Sequence, residues 1–444
     1  MKWSDRVFSD FMMRRCIGFC LTALVSGLLC NSAVLDLSLA GDSYSPSVEA
    51  FEKVASHFTQ QPNEEMGFVQ GRDELFFTPV CDSLDEKPET LAERLENLGQ
   101  LYSSDTNPVL QEWWFLGRYH GQYYNADGDG AQQDDWENRR FRIGSQARLF
   151  DKLTLHAQMV SGFDIDPFYN GFTELWTQWA FAEAFAVTLG QQKHRFTHDR
   201  NVSSRYINTL ERSMLTNMFN ADYTPAVTAS GSSDKFAYYT GIFSNATSAD
   251  IWEAFTDYDS GYSLLASGTW DINRLIRLDE AFLNVCYLYS DANQNATNLN
   301  RYKDGVSAAL ILTEGAGSLV SEVLLGTRSA NGDAFGINIQ PGFFVTEKLQ
   351  LAARYQLAVA DEDNGLLAQR RYEQTVGVTT GDLYQAAYAG FNYYIAGHRI
   401  KVMNGIECAD MNGHSVWTAS LAVRVFWGPH SNGPFPMAKT LQPN

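Results

Sequence analysis

The chain has 444 residues, a formal charge of -19 and an aromatic content of 13%. The acidity argues against broad nucleic-acid binding, which needs a basic footprint. Of its six cysteines, the three beyond residue 40 are scattered and make neither a disulfide framework nor a metal-ligand spacing.

Residues 1–40 read as an export signal. Arg14 and Arg15 close a charged region, "CIGFCLTALVSGLLC" is an apolar core too short to span a bilayer comfortably, and Ser38-Leu39-Ala40 offers a small-residue cleavage site. Only Cys81, Cys286 and Cys408 follow it. No later stretch is apolar enough for a transmembrane helix. An exported chain of this kind is periplasmic, secreted or an outer-membrane barrel.

Residues 41–106 carry helical spacing in "EAFEKVASHF" and "PETLAERLENLGQL", with Leu91, Leu95 and Leu98 on one stripe. Thr90 and Glu93 fit a capping box. This reads as a short periplasmic helical or linker segment.

From Leu110 the period changes to two. In "WWFLGRYHGQYY", Trp113, Phe115, Tyr119 and Tyr123 alternate with Arg118, His120 and Gln122. In "RRFRIGSQARLF", Phe141, Ile143, Ala147 and Leu149 oppose Arg140, Arg142, Gln146 and Arg148. The pattern recurs in sixteen candidate strands. The first two span 111–124 and 138–149, and the last three span 382–395, 398–406 and 415–427. The acidic run between the first two, "NADGDGAQQDDWE", reads as an exposed outer loop, because Ala131 spoils the spacing of a calcium loop. Short connections alternate with long polar ones, which is the rhythm of a transmembrane β-barrel. The predicted class is therefore all-β: an antiparallel barrel of about sixteen strands over 107–428, preceded by the helical segment and followed by a tail at 429–444.

An Arg on the lipid side near mid-membrane costs about 2–4 kcal/mol. Arg118, Arg140, Arg142 and Arg148 are therefore expected to face the lumen. The connection after the fifth strand, residues 192–220, is basic in an acidic chain. It holds Lys193, Arg195, Arg200, Arg205 and Arg212 against Asp199 and Glu211. A lumen lined by Arg and Lys selects anions, and the guanidinium fork suits phosphate. No phosphate-cradling glycine loop and no metal or nucleophile constellation accompanies it, so neither catalysis nor a cofactor is expected. His120 and His156 read as wall residues.

Three stretches carry a likeness to a known family. "LGRYHGQYY", "NRRFRIG" and above all "LGQQKHRFTHDRNVSSRYINTLERS" resemble the phosphate-selective porins O and P of bacterial outer membranes. The resemblance implies a sixteen-stranded homotrimeric channel whose constriction residues correspond to Arg118, Arg139 and Arg140, with loop bases at Arg200 and Arg205. Its partners would be phosphate or other small anions, outer-membrane lipid and lipopolysaccharide. Residue parity disagrees on Arg139, which faces lipid in a regular strand; a bulge or an early position above the membrane would reconcile the two. A general or oligosaccharide porin and, in a different class, a secreted β-rich enzyme or adhesion protein stay open on the sequence.

Overall fold

The computed structural model describes residues 91–429, apart from 220, 248–250, 300, 329–331 and 370. The expected signal segment, the larger part of 41–106 and nearly all of the tail lie outside these residues. What is described of the leading segment is a short helix, Leu91–Glu96, and strand β1, Gln100–Ser103, which pairs antiparallel with β2.

Sixteen longer strands form one closed sheet. They are β2 (Leu110–Gly128), β3 (Ala131–Leu149), β4 (Leu153–Val160), β5 (Phe172–Ala182), β6 (Phe185–Lys193), β7 (Tyr223–Ser232), β8 (Phe236–Ser244) and β9 (Gly261–Asp271). The circuit continues with β10 (Glu280–Ala292), β11 (Asp304–Glu314), β12 (Gly317–Thr327), β13 (Ala334–Phe344) and β14 (Leu349–Ala360). It ends with β17 (Leu383–Ala396), β18 (Ile400–Met411) and β19 (His414–Trp427). A two-stranded hairpin, β15 (Leu366–Leu367) with β16 (Thr380–Gly381), interrupts this order. Each barrel strand pairs antiparallel with the next, and β19 returns to β2 over Val416–Trp427, which closes the barrel. Closure removes every free sheet edge, which a bilayer demands.

The amphipathic period explains why the sheet closes this way round. Along β2, Trp113, Phe115 and Tyr123 are exposed while Arg118, His120 and Gln122 are buried. Leu351, Phe391, Ile406, Trp417 and Leu421 continue the exposed apolar surface on the far strands. A soluble sheet buries its apolar face; this barrel presents it outward, to lipid. Trp179, Phe181 and Phe185 cluster at one short turn as an aromatic anchor at the membrane interface.

The turns at one end are brief, such as 150–152, 183–184 and 315–316, while 194–222, 245–260 and 361–382 at the other are long. One detail here differs from the sequence reading. The acidic run is not a loop: β2 and β3 extend through it and meet at the two residues Asp129 and Gly130, with Gly130 at a φ of +100°. Asp127, Asp134 and Asp135 thus stand on the strands of a long hairpin. At the far end of the chain Asn412 and Gly413 both take positive φ, the geometry of a two-residue turn whose twist matches the flanking strands.

Candidate pore constriction

The connection after β6, residues 194–222, folds into the barrel and supplies much of its interior core. Phe196, Met214, Leu215, Met218 and Phe219 are buried and pack with Leu288, Ile311 and Leu324 of the wall. Two short helical turns, His198–Asn201 and Met214–Met218, shape it. The first is capped by Thr197, whose hydroxyl accepts from the Arg200 amide at 3.1 Å.

Backbone groups inside a barrel still need partners, and the strands β12–β19 supply them. Glu322 of β12 accepts the amides of His198 and Asp199 at 2.6 and 3.3 Å. Gln356 of β14 accepts the Met214 amide at 2.7 Å. Arg354 of β14 donates to the Glu211 carbonyl at 2.7 Å and to Thr209 at 3.1 Å, and forms an ion pair with Glu407 of β18 at 2.8 Å. Lys401 of β18 donates to the Ile207 carbonyl at 2.7 Å. Arg424 of β19 donates to the carbonyls of Ser204 and Leu210. The loop is thereby stapled to one side of the lumen. Arg354, Lys401 and Arg424 were not singled out in the sequence, although the same alternation marks all three as inward.

The adjoining strands β2 and β3 carry the arginines of the sequence reading. Arg118 of β2 and Arg142 of β3 are direct cross-strand partners, as are His120 and Arg140; on the next strand Arg424 is opposite His120. Gly117 beside Arg118 has a packing reason, since a Cβ there would lie 2.2 Å from the Trp427 ring. Like charges facing each other across a ladder are destabilising, so what compensates them matters. Among the described residues no carboxylate forms an ion pair with Arg118 or Arg142. Arg118 donates to the Ser204 hydroxyl at 2.9 Å, and Arg142 to the Tyr223 hydroxyl at 2.8 Å.

Arg139 also lies inside. The register runs His120 to Arg140 and then Gly121 to Asn138, leaving Arg139 as the extra residue of a β-bulge. Its guanidinium clasps Glu211 of the loop at 2.7 and 3.0 Å, with Arg140 at 4.0 Å from the same carboxylate. Burial alone would raise the Glu211 pKa, but Arg139, then Arg140 and Arg371, pull it well below the usual carboxylate range. The bulge reverses parity beyond it, so Glu137 faces inward and pairs with Arg371 at 2.7 Å.

The remaining bases divide by partner. Arg200 pairs with Asp222 at 3.0 Å, and Arg148 with Glu112 at 2.6 Å nearer the short-turn end. Lys193 donates to the carbonyls of Asn201 and Val202, and Arg212 to those of Asp199 and Val202, so both brace the loop. Arg195 donates to Asn201 at 3.2 Å and Arg205 to the Pro429 carbonyl at 3.0 Å. His156 stacks on Trp176 with the rings 4.8 Å apart and takes a wall role.

A second connection, 361–382, also enters the barrel. Gln369 donates to the Arg212 carbonyl at 3.0 Å, Asn217 donates to Gln369 at 3.1 Å, and Tyr372 packs edge-on against Tyr124. Nothing in the sequence signalled this, since the segment is neither apolar nor basic enough to stand out.

A closed sixteen-stranded barrel with an apolar exterior, a polar interior and a long loop folded across that interior has the architecture of an outer-membrane porin, and its place is the bacterial outer membrane. Residues 113–270 match the family model described as "Phosphate-selective porin O and P". The resemblance read from the sequence stands over those residues. No curated protein matches the chain. Among solved structures, OprB of Pseudomonas putida at high pH is 11% identical with a TM-score of 0.52, covering 71% of this chain and 94% of that one. OmpF of Salmonella typhi, solved in complex with daunomycin, is 10% identical with a TM-score of 0.52, covering 73% and 99%. OmpT of Vibrio cholerae, expressed in the outer membrane, is 12% identical with a TM-score of 0.50, covering 73% and 100%. At these identities the likeness concerns the fold alone.

Proposed function

We propose that this porin is a passive, anion-preferring channel of the phosphate type, with the constriction formed by Arg118, Arg139, Arg140 and Arg142 of the wall and Arg200 and Arg205 of the loop. The observation that carries this reading is the Arg118–Arg142 pair: two inward arginines directly opposite each other across a ladder, neither in an ion pair among the described residues. A positive field in a low-dielectric channel draws anions in, and several moderate sites let them leave again. The family match over residues 113–270 supports phosphate as the natural solute. The proposal includes a homotrimer and lipid and lipopolysaccharide contacts along the apolar exterior.

Planar-bilayer recordings in a KCl gradient test the reading. The expected reversal potential has the anion sign, and Arg118→Ala and Arg142→Ala each move it toward zero. Phosphate added to the chloride current should block it in the wild type, and more weakly in Arg140→Ala. A cation-signed potential in the wild type overturns the anion claim.

A further inference from the structure

The connection 361–382 leaves and rejoins the wall on neighbouring strands, after Ala360 of β14 and before Leu383 of β17, yet its contacts reach much further. On one side, Arg301 and Tyr302 of the connection between β10 and β11 donate to its carbonyls. Arg301 reaches those of Asn364 and Gly365 at 3.0 and 2.9 Å, and the Tyr302 hydroxyl reaches that of Gly365 at 2.9 Å. On the other side, Arg371 pairs with Glu137 of β3 at 2.7 Å, and Tyr372 and Val376 are buried with Tyr124 and Ala126 of β2. Arg371 also lies 4.9 Å from the ring centre of Phe163, in the connection after β4.

These two anchorages stand far apart around the wall. From β11 the sheet runs through β12, β13, β14, β17, β18 and β19 before it reaches β2, close to half of the closed circuit. The connection therefore crosses the outer mouth instead of following its rim. It is also held from below: Leu366 and Ala368 are buried in one core with Met214, Leu215 and Met218 of the constriction loop, and Gln369 donates to the Arg212 carbonyl. Ordering a long connection costs conformational entropy, and connections of this length in a compact fold are uncommon unless they have a function. The latch to β3 matches Arg371 with Glu137, so the crossing adds bulk to the mouth at that point and no net charge.

Burial inside the barrel marks the part of the lumen that stays open. Inward side chains on the side of the crossing, such as Gln356, Tyr384, Tyr388 and Arg424, are buried. Gln146 of β3, His156 of β4, and Trp176 and Gln178 of β5 are half-buried.

We propose that the connection 361–382 is a second size-determining element, separate from the constriction loop: a strap across the outer mouth that confines entry to the sector over β3–β5. It admits compact solutes and excludes bulky ones whatever their charge. The effect is steric, so it goes beyond the anion-channel reading and does not depend on it.

The test replaces residues 366–381 by a short glycine–serine turn and compares the shortened barrel with the wild type in planar bilayers. Neutral polyethylene glycols of graded size are added to both sides, and the fall in KCl conductance reads which sizes enter. The shortened barrel should conduct about twofold more and admit larger polymers, because both follow the open cross-section. A shortened barrel that folds, as shown by heat-modifiable gel migration, and excludes the same polymers as the wild type overturns the proposal. The reversal potential in a KCl gradient is recorded separately; a cation sign there would sink the anion reading and leave the polymer result standing. Should the shortened barrel not fold, Arg371→Ala combined with Tyr372→Ala decides, since it cuts only the latch to β2 and β3. A raised size limit in that variant supports the strap, and an unchanged one overturns it.

Discussion

Arg354 and Arg142 are the same residue type on the same inward parity of two strands, yet they do different work. Arg354 faces the folded loop; its guanidinium is consumed by Glu407, Thr209 and the Glu211 carbonyl. Arg142 stands at the end of the loop, where its partner is the ring and hydroxyl of Tyr223. On the β12–β19 side the inward cations spend their hydrogen bonds on the loop, Arg354 being paired with Glu407 as well, whereas on β2 and β3 Arg139 is held by the loop carboxylate Glu211 and Arg142 by Tyr223. What an inward arginine does here is set by what the chain folds against it.

That contrast can be broken from the scaffold side. Arg354→Met should have the largest effect, because it leaves Glu407 buried without its partner and two loop acceptors unserved. A loss of about 3–5 kcal/mol is expected for breaking a buried pair, read as a marked drop in the temperature of the heat-modifiable gel shift together with noisier, larger single-channel currents. Wild-type stability with unchanged current would mean the loop is held by its apolar packing instead.

Glu211→Gln sharpens the comparison at the boundary between the two sides. Hydrogen bonds to a charged group are worth about 1.5–3 kcal/mol, so a smaller loss of stability is expected, while Arg139 and Arg140 lose their counter-charge and the anion preference rises. A fall in preference would show that Glu211 orders these arginines more than it cancels them. The depressed pKa sets the acid behaviour: its stabilisation is present above the unfolded value of about 4.3 and is lost only as pH falls through the much lower folded value. The clasp in the wild type should therefore survive acidification to about pH 4.

The second inward loop responds to pH in the other direction. Burial pushes the Glu373 carboxyl up to about 7, although the Tyr384 hydroxyl and the Gln369 amide donate to it. A carboxylate with a raised folded pKa gives stability that is present below the unfolded value of about 4.3 and lost as pH rises through the folded one. Hydrogen exchange in residues 366–381 should accelerate from about pH 4.5 to about pH 7 beyond the intrinsic chemical rate and level off above it, and Glu373→Gln should abolish that excess. The smallest effect is expected at Arg148→Ala. Its pair with Glu112 is well exposed, at 40% and 32% of the side chains, and such pairs contribute about 0–1 kcal/mol. Thermal stability should hardly move.

Much of this was legible in the primary structure because the bilayer imposes a period of two on every strand. All sixteen strand positions, the inward parity of Arg118, Arg140 and Arg142, and the basic character of the loop follow from that rule and from local charge. Two features escaped it for a physical reason. Arg139 breaks parity because a bulge adds a residue, and a bulge is set by pairing with the neighbouring strand and not by the bulged strand alone. The run "NADGDGAQQDDWE" carries turn-forming residues throughout, and only pairing with its opposite strand decides that it turns just at Asp129 and Gly130.

By itself, then, the sequence determined which face of each strand meets lipid, because a misplaced apolar or charged side chain there has a large and local cost. Only the tertiary structure decided which inward arginines are spent on holding the loop and which have a ring or hydroxyl as partner instead. That choice depends on partners more than a hundred residues away, as with Arg354 and Thr209, or on a single ring at a seam, as with Tyr223, Arg142 and Arg200.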